Sequence, residues 1–237
     1  MQWTPGPLSR CELPRRPSEY RGLFRQTCKV GHSLISGGLA LSLTMAALSP
    51  TLAGERGPVR SILEMRRDNV VVQNWDLSCG AAALATILNF QHGDPVSERE
   101  IALGMMTRQE YLENPLLVRI RRGFSLLDMR RFVETRGYEG IGLGRLSFED
   151  LLGNAPLIVP INVHGYQHFV VFRGTFGNRV LLADPAYGNR TMLRSRFEEA
   201  WIDFPKIGHV GFLVKRRDNL IPPNQLAPTP SDFFTLH

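Results

Sequence analysis

Between Cys79 and Phe90 the chain reads Cys-Gly-Ala-Ala-Ala-Leu-Ala-Thr-Ile-Leu-Asn-Phe, with only Thr86 and Asn89 polar. A helix on a protein surface shows one apolar stripe and one polar face, whereas a helix that is apolar nearly all round has to be buried. Whatever this chain folds into must therefore be built around that segment. Asp76-Leu-Ser78 reads as a turn that opens the helix, which places Cys79 at its N-terminus.

The flanking segments give the rest of the layout. Asn69-Val-Val-Val-Gln73 has the length and composition of a short buried strand. Ser97-Glu-Arg-Glu100 is a capping-box pattern and predicts a second helix through Met105, and Ser125-Leu-Leu-Asp128 predicts another that stops at Gly137. Between them, Thr107 to Gly123 is charged and interrupted by Pro115, as expected of a surface insertion bordering a cleft. Ser147-Phe-Glu-Asp150 opens a further short helix.

Beyond that point the period changes. Pro156 to Asn162, His168 to Arg173 and Arg179 to Ala183 are apolar runs of strand length, and the turn signals His164-Gly165 and Gly174 to Asn178 separate them as antiparallel hairpins require. Ser195 to Trp201 predicts a short helix and His209 to Lys215 a last strand. Helices first and an antiparallel sheet second give an α+β fold. One domain, residues 69–217, accounts for the core; residues 54–68 read as a flexible lead-in and the Pro-rich residues 218–237 as a loose tail.

Residues 1–53 have the grammar of a signal peptide: a basic region, an apolar stretch from Leu34 to Leu48, then Ser-Pro-Thr-Leu-Ala before Gly54. The apolar stretch is shorter than the roughly 20 residues that a bilayer span needs, so removal after Ala53 is expected, with transient membrane association through an uncleaved leader as the alternative. The segment also carries six of the basic residues against two acids, so the formal charge of +6 falls to +2 in residues 54–237. That removes the argument for a nucleic-acid partner. A composition of 43% hydrophobic and 21% charged residues excludes a disordered chain.

Cys11 and Cys28 fall in the leader, which leaves Cys79 as the single thiol of residues 54–237. It cannot staple its own domain. In an exported protein such a cysteine is either a small buried hydrophobe or a reactive group, and a helix N-terminus favours the thiolate. His168 begins an apolar strand, and Asp184-Pro185 ends the next one sixteen residues later. If the hairpin register brings these ends together, Cys79, His168 and Asp184 can form a thiolate–imidazolium pair with an orienting carboxylate.

Gln73 lies where its amide can donate to an oxyanion beside the Cys79 N–H, and as a lone glutamine it reads equally as a solvated loop residue. A zinc site from Cys79, His164 and His168 lacks the close-spaced ligand pairs of such sites, and Gly165 interrupts the strand, so no metal or other cofactor is expected. His164 reads as a loop residue at a cleft rim, and His92 and His209 as solvated or capping histidines. Trp75, Phe90, Phe132, Phe148 and Trp201 read as core or cleft walls, with Trp75 also placed to line a subsite. Arg119-Ile-Arg121-Arg122 reads as a solvated face.

Taken together, Gln73 to Cys79-Gly80, His168-Phe-Val-Val and Asp184-Pro-Ala186 with Gly188 resemble the ordered motifs of the C39 peptidase family, over about Val70 to Val214. The resemblance implies a papain-like fold and a cysteine peptidase mechanism in which Gln73, Cys79, His168 and Asp184 match the functional positions. A stand-alone exported chain without P-loop or further spans is similar to members encoded with bacterial functional-amyloid secretion systems. That implies a periplasmic location and an exported polypeptide or amyloid-system component as substrate. A catalytically silent module that holds an export substrate, and acyl transfer to an amine in place of water, remain as the other readings.

Overall fold

The computed structural model describes residues 60–120 and 123–235. The expected leader at 1–53, the first part of the lead-in and Arg121-Arg122 lie outside the described residues.

The fold is α+β, as the order of helical and strand patterns predicted. Helix α1 (Ile62–Arg66) is followed by α2 (Cys79–Thr86), which continues as a π-helical turn over Ile87–Gln91. Then come α3 (Glu98–Met106), α4 (Gln109–Glu113), α5 (Leu117–Ile120) and α6 (Leu126–Thr135). Strand β1 (Tyr138–Leu143) and α7 (Phe148–Gly153) lead into β2 (Leu157–Val163), β3 (Tyr166–Phe176), β4 (Arg179–Asp184) and β5 (Gly188–Leu193). The chain ends in α8 (Arg194–Ala200), the short strands β6 (Asp203–Phe204) and β7 (Gly208–His209), β8 (Gly211–Arg216) and α9 (Pro230–Thr235). The main sheet is antiparallel in the order β1-β8-β2-β3-β4-β5.

The helix starts follow their capping chemistry. The Ser125 hydroxyl accepts from the Asp128 N–H while the Asp128 carboxylate accepts from the Ser125 N–H, and Ser147 and Asp150 do the same for α7. At α3 only the Ser97 half of the predicted box forms. Every residue of α2 is buried, as its composition demanded.

The apolar strand runs are continuous because the sheet is covered on both faces. Ile158, Val171, Ala183 and Phe212 pack under α2, α3 and α6, whereas Leu157, Val159, Val170, Phe172 and Leu182 pack with Phe148 and Leu151 of α7, Phe197 of α8 and Trp201. A strand buried on both sides shows no polar alternation.

Three expectations are corrected. Residues 69–73 join no strand: Asn69 sits in a turn at φ 52°, and N–H groups of the segment go to a side chain and a loop, Val71 to Thr86 Oγ1 at 3.0 Å and Gln73 to the Pro185 carbonyl at 2.8 Å. The lead-in is not featureless, since Ser61 and Glu64 form a complete capping box for α1. The tail is not loose. Asn224 and Gln225 donate to the carbonyls of Gln91 and Phe90, Arg173 Nε donates to the Leu226 carbonyl at 2.9 Å, and Leu226 and Phe233 are buried. His92 is not solvated: it caps the C-terminus of the π-helical turn, its N–H donating to the Ile87 carbonyl at 3.2 Å, and its ring is buried with Nε2 donating to the Val214 carbonyl at 3.1 Å.

Strands β1 and β5 went unread. In β1 the sequence Tyr-Glu-Gly-Ile-Gly-Leu lacks strand character, yet a Cβ at Gly140 would lie 2.9 Å from Phe212 and Val133 and 3.0 Å from the Arg130 backbone. Glycine there lets α6 lie directly on the strand. Gly140→Ala is expected to cost roughly 1–3 kcal/mol in urea unfolding.

A second prediction concerns acid. Burial pushes His92 below the ordinary histidine value, its contact with the Val214 carbonyl opposing this only in part. An unfolded His92 takes up a proton near about pH 6.5 while the folded one resists, so this contribution to stability is present above that pH and lost as pH falls through the depressed folded value. Urea titrations of wild type and His92→Gln should show a shallower loss of stability on acidification in the variant.

Candidate active site

The site is assembled where three elements converge: the N-terminus of α2, the first turn of β3 and the end of β4. With Val171 opposite Ala183, His168 and Asp184 lie at the same end of the β3–β4 hairpin and, in step with Val170, Phe172 and Leu182, on the same face. The register condition left open by the sequence is met. His168 Nε2 lies 3.2 and 3.1 Å from the two Asp184 oxygens, and both side chains are buried. A carboxylate only accepts, so Nε2 carries the hydrogen, and Nδ1 is left buried with no hydrogen-bond partner among the described residues.

Cys79 opens α2, next to Gly80, whose added Cβ would meet the ring of Phe169, the residue after the histidine, at 3.4 Å. Burial pushes the thiol above its ordinary value; the N–H groups of Phe169, Gly80 and Cys79 itself pull it down, and the negative charge of Asp184 pushes it up again. The resting sulfur is therefore held toward the protonated form, so the helix N-terminus alone does not produce a thiolate here.

Gln73 is brought in by its backbone, since its N–H donates to the carbonyl of Pro185 beside Asp184. Its amide nitrogen donates to the Trp75 carbonyl at 3.3 Å, and its Oε1 is buried without a partner. Gln73 and Cys79 line one cavity of about 640 Å³, together with Leu77, Arg119, Tyr166 and Gln167. Gln73 and Cys79 thus share a cavity whose lining includes Tyr166 and Gln167, and the next residue, His168, is hydrogen-bonded to Asp184.

Neighbouring expectations fare differently. His164 is exposed in the β2–β3 turn at φ 52° and lines an adjacent cavity rather than that of Cys79. His209 stacks on Trp201 with ring centroids 4.4 Å apart. Trp75 is half exposed and contributes its carbonyl, which accepts from Gln73 and from the Ser78 hydroxyl, instead of a cleft wall. Among the described residues no cluster of histidine, cysteine or acidic side chains could hold a metal ion.

A profile of the Peptidase C39 family matches residues 67–204. The chain belongs to the Peptidase C39 family. It is similar to the "Probable functional amyloid protease FapD" of Pseudomonas aeruginosa, at 40% identity over 154 residues, covering 63% of this chain and 65% of that protein. Similarity to the protein of the same name from Pseudomonas fluorescens is 38% over 144 residues, 60% of this chain and 61% of that one. The chain thus spans less than two thirds of the length of these relatives. Among solved structures it is similar to a double glycine motif protease from an AMS/PCAT transporter in complex with the leader peptide, at 23% identity and a TM-score of 0.49, over 62% of this chain and 90% of that one.

Three residues of this C39 domain had no reading in the sequence. Tyr166 stacks on His168 at 4.6 Å between centroids. Arg190, from the unread strand β5, places Nε 3.1 Å from Asp184 Oδ2. Glu98, the first residue of α3, is buried and accepts from the Asn74 N–H at 3.0 and 3.1 Å, from Asn74 Nδ2 at 2.9 Å and from the Ser78 hydroxyl. It holds both ends of the loop between Gln73 and Cys79. The one available signal was its place in a capping-box pattern, which assigns the carboxylate to a helix end and not to a distant loop. Glu98→Ala leaves those donors without an acceptor and is expected to lower stability by roughly 2–3 kcal/mol in urea unfolding, with Glu98→Gln milder.

Proposed function

We propose that this C39 domain is an exported cysteine peptidase that cleaves polypeptides of a functional-amyloid secretion system in the periplasm, with Cys79 as nucleophile, His168 as base and acid, Asp184 as its orienting group and Gln73 at the oxyanion. The observation that carries this reading is the His168 ring: Nε2 is fixed on buried Asp184, and the other nitrogen is buried with no hydrogen-bond partner among the described residues, which leaves it open to exchange a proton.

In the mechanism His168 Nδ1 takes the Cys79 proton as the sulfur attacks the peptide carbonyl, forming the C–S bond and an oxyanion. The Cys79 N–H and the Gln73 amide donate to that oxygen, which requires Gln73 Nε2 to turn from the Trp75 carbonyl. The imidazolium then protonates the amine as the C–N bond breaks. Water, deprotonated by His168, attacks the thioester and releases the acid and the free thiol. Because burial raises the thiol, the thiolate depends on proton transfer to His168 and not on solvent titration.

Support for the substrate class comes from the names of the relatives, both functional amyloid proteases, and for the location from the signal-peptide pattern of residues 1–53. An uncleaved leader would keep the same site at the membrane surface.

Iodoacetamide labelling of the full chain, with Cys79 followed by mass spectrometry across pH, tests the pair. Labelling of wild type should persist below the free-thiol range near about 8.5 and be lost in His168→Ala. In cleavage assays on purified amyloid-system polypeptides, His168→Ala should fall by roughly 10²–10⁴-fold and Cys79→Ala to background. An unreactive Cys79 in a folded protein that still binds those polypeptides would make the domain a holding module instead.

A further inference from the structure

Asp184 has two neighbours that can carry positive charge, not one. The carboxylate is fully buried, and on one side it faces His168 Nε2 at 3.1 and 3.2 Å. On another it faces Arg190 Nε at 3.1 Å, from the neighbouring strand β5, while the Ala186 N–H donates to Oδ1 at 2.9 Å. The Arg190 side chain is 23% exposed and lies over the Tyr187 ring at 5.3 Å from its centroid, and its Nε and Nη2 are buried with no hydrogen-bond partner among the described residues, so its tie to Asp184 is an ion pair rather than a hydrogen bond. Its charge therefore falls on one carboxylate oxygen that the histidine already shares.

We propose that Arg190 is a positioning residue that sets how the proton is divided between Cys79 and His168, holding the pair toward neutral thiol and neutral imidazole until substrate enters. The proposal rests on the peptidase reading above.

The groups facing the pair are Asp184 on β4, Tyr166 on β3, Arg190 on β5 and Tyr187 in the turn between β4 and β5. With Arg190 present, Asp184 has a fixed counter-charge whether or not His168 is protonated. Moving the proton from Cys79 to His168 then places a second cation beside a carboxylate that is already compensated. Without Arg190, the uncompensated carboxylate draws the proton onto the ring that touches it, while acting on the sulfur only through space. Removing a cation should thus raise the share of thiolate, the reverse of what the loss of a positive charge near an isolated thiol would do.

The test is iodoacetamide labelling of Cys79 at about pH 6.5 in Arg190→Gln, Arg190→Lys and wild type, each with and without His168→Ala. Arg190→Gln should label roughly fivefold faster than wild type. Arg190→Lys, which keeps the charge, should stay near the wild-type rate. In the His168→Ala background the gain should vanish or reverse. Labelling that is equal or slower in Arg190→Gln with His168 present overturns the proposal, as does a gain that survives in His168→Ala.

Should Arg190→Gln fail to fold, the wild-type guanidinium still reports: NMR should show slow rotation and slow hydrogen exchange at Arg190 Nε–H, and a freely rotating group overturns the assignment. The two readings fail separately. A reactive, His168-dependent Cys79 that ignores Arg190 leaves the peptidase intact and removes Arg190 from it. An unreactive Cys79 in both wild type and Arg190→Gln removes the pair itself.

Discussion

A carboxylate taken wholly out of water is tolerated only when charges and donors surround it, and Asp184 is the group in this fold that imposes that demand. Its needs fix the ends of three strands. His168 must come from β3, Arg190 from β5 and the Ala186 N–H from the turn after β4, so the hairpin registers cannot slip by a residue without leaving the charge unpaired. The same turn offers the Pro185 carbonyl to the Gln73 N–H, which ties the approach to α2 to the acid. Breaking the carboxylate's contacts would disturb the sheet and the nucleophile's loop together.

On the helical side Glu98 plays the matching part. One buried carboxylate gathers Asn74 and Ser78, and the loop that delivers Cys79 is closed around it, with Leu77 at φ 67° at its tightest point. Cys79 is then set by packing: a Cβ on Gly80 would lie 2.6 Å from Met129 and 3.4 Å from the Phe169 ring, so α2 meets β3 and α6 at van der Waals distance. Burial this close explains why the sulfur is pushed toward its neutral form, and why proton transfer within the site matters more than the helix dipole.

How much of this was legible follows from where each signal resides. The all-apolar run at Cys79 announced a central helix, and capping boxes at Ser125 and Ser147 announced helix starts, because both are local patterns. Cys79, His168, Asp184 and Gln73 were read as candidate site residues because their order resembles family motifs. Strand β1 was invisible because its Gly140 serves the approach of α6, and β5 because its Asn189, Arg190 and Thr191 are polar residues that meet partners on β3 and β4. Arg190 and Glu98 were hidden for the same reason: their meaning lies in carboxylate contacts with no sequence spacing. The tail looked loose because prolines interrupt every period, while its anchoring runs through backbone carbonyls that any sequence would offer.

The brace between α1 and β5 bears on the order in which this molecule can be completed. Gly188, at φ 84°, leaves so little room that a Cβ would lie 2.4 Å from the Arg66 carbonyl, and Asn189 Nδ2 donates to the Asp68 carbonyl across 121 residues of chain. The strand that carries Arg190 is thus finished by the segment that enters the fold first. Contacts of such long range close late in folding. A chain still emerging N-terminus first holds Cys79 long before it holds Asp184, Arg190 and the brace, so β5 and the segment after the first helix are joined only once most of the domain has been made.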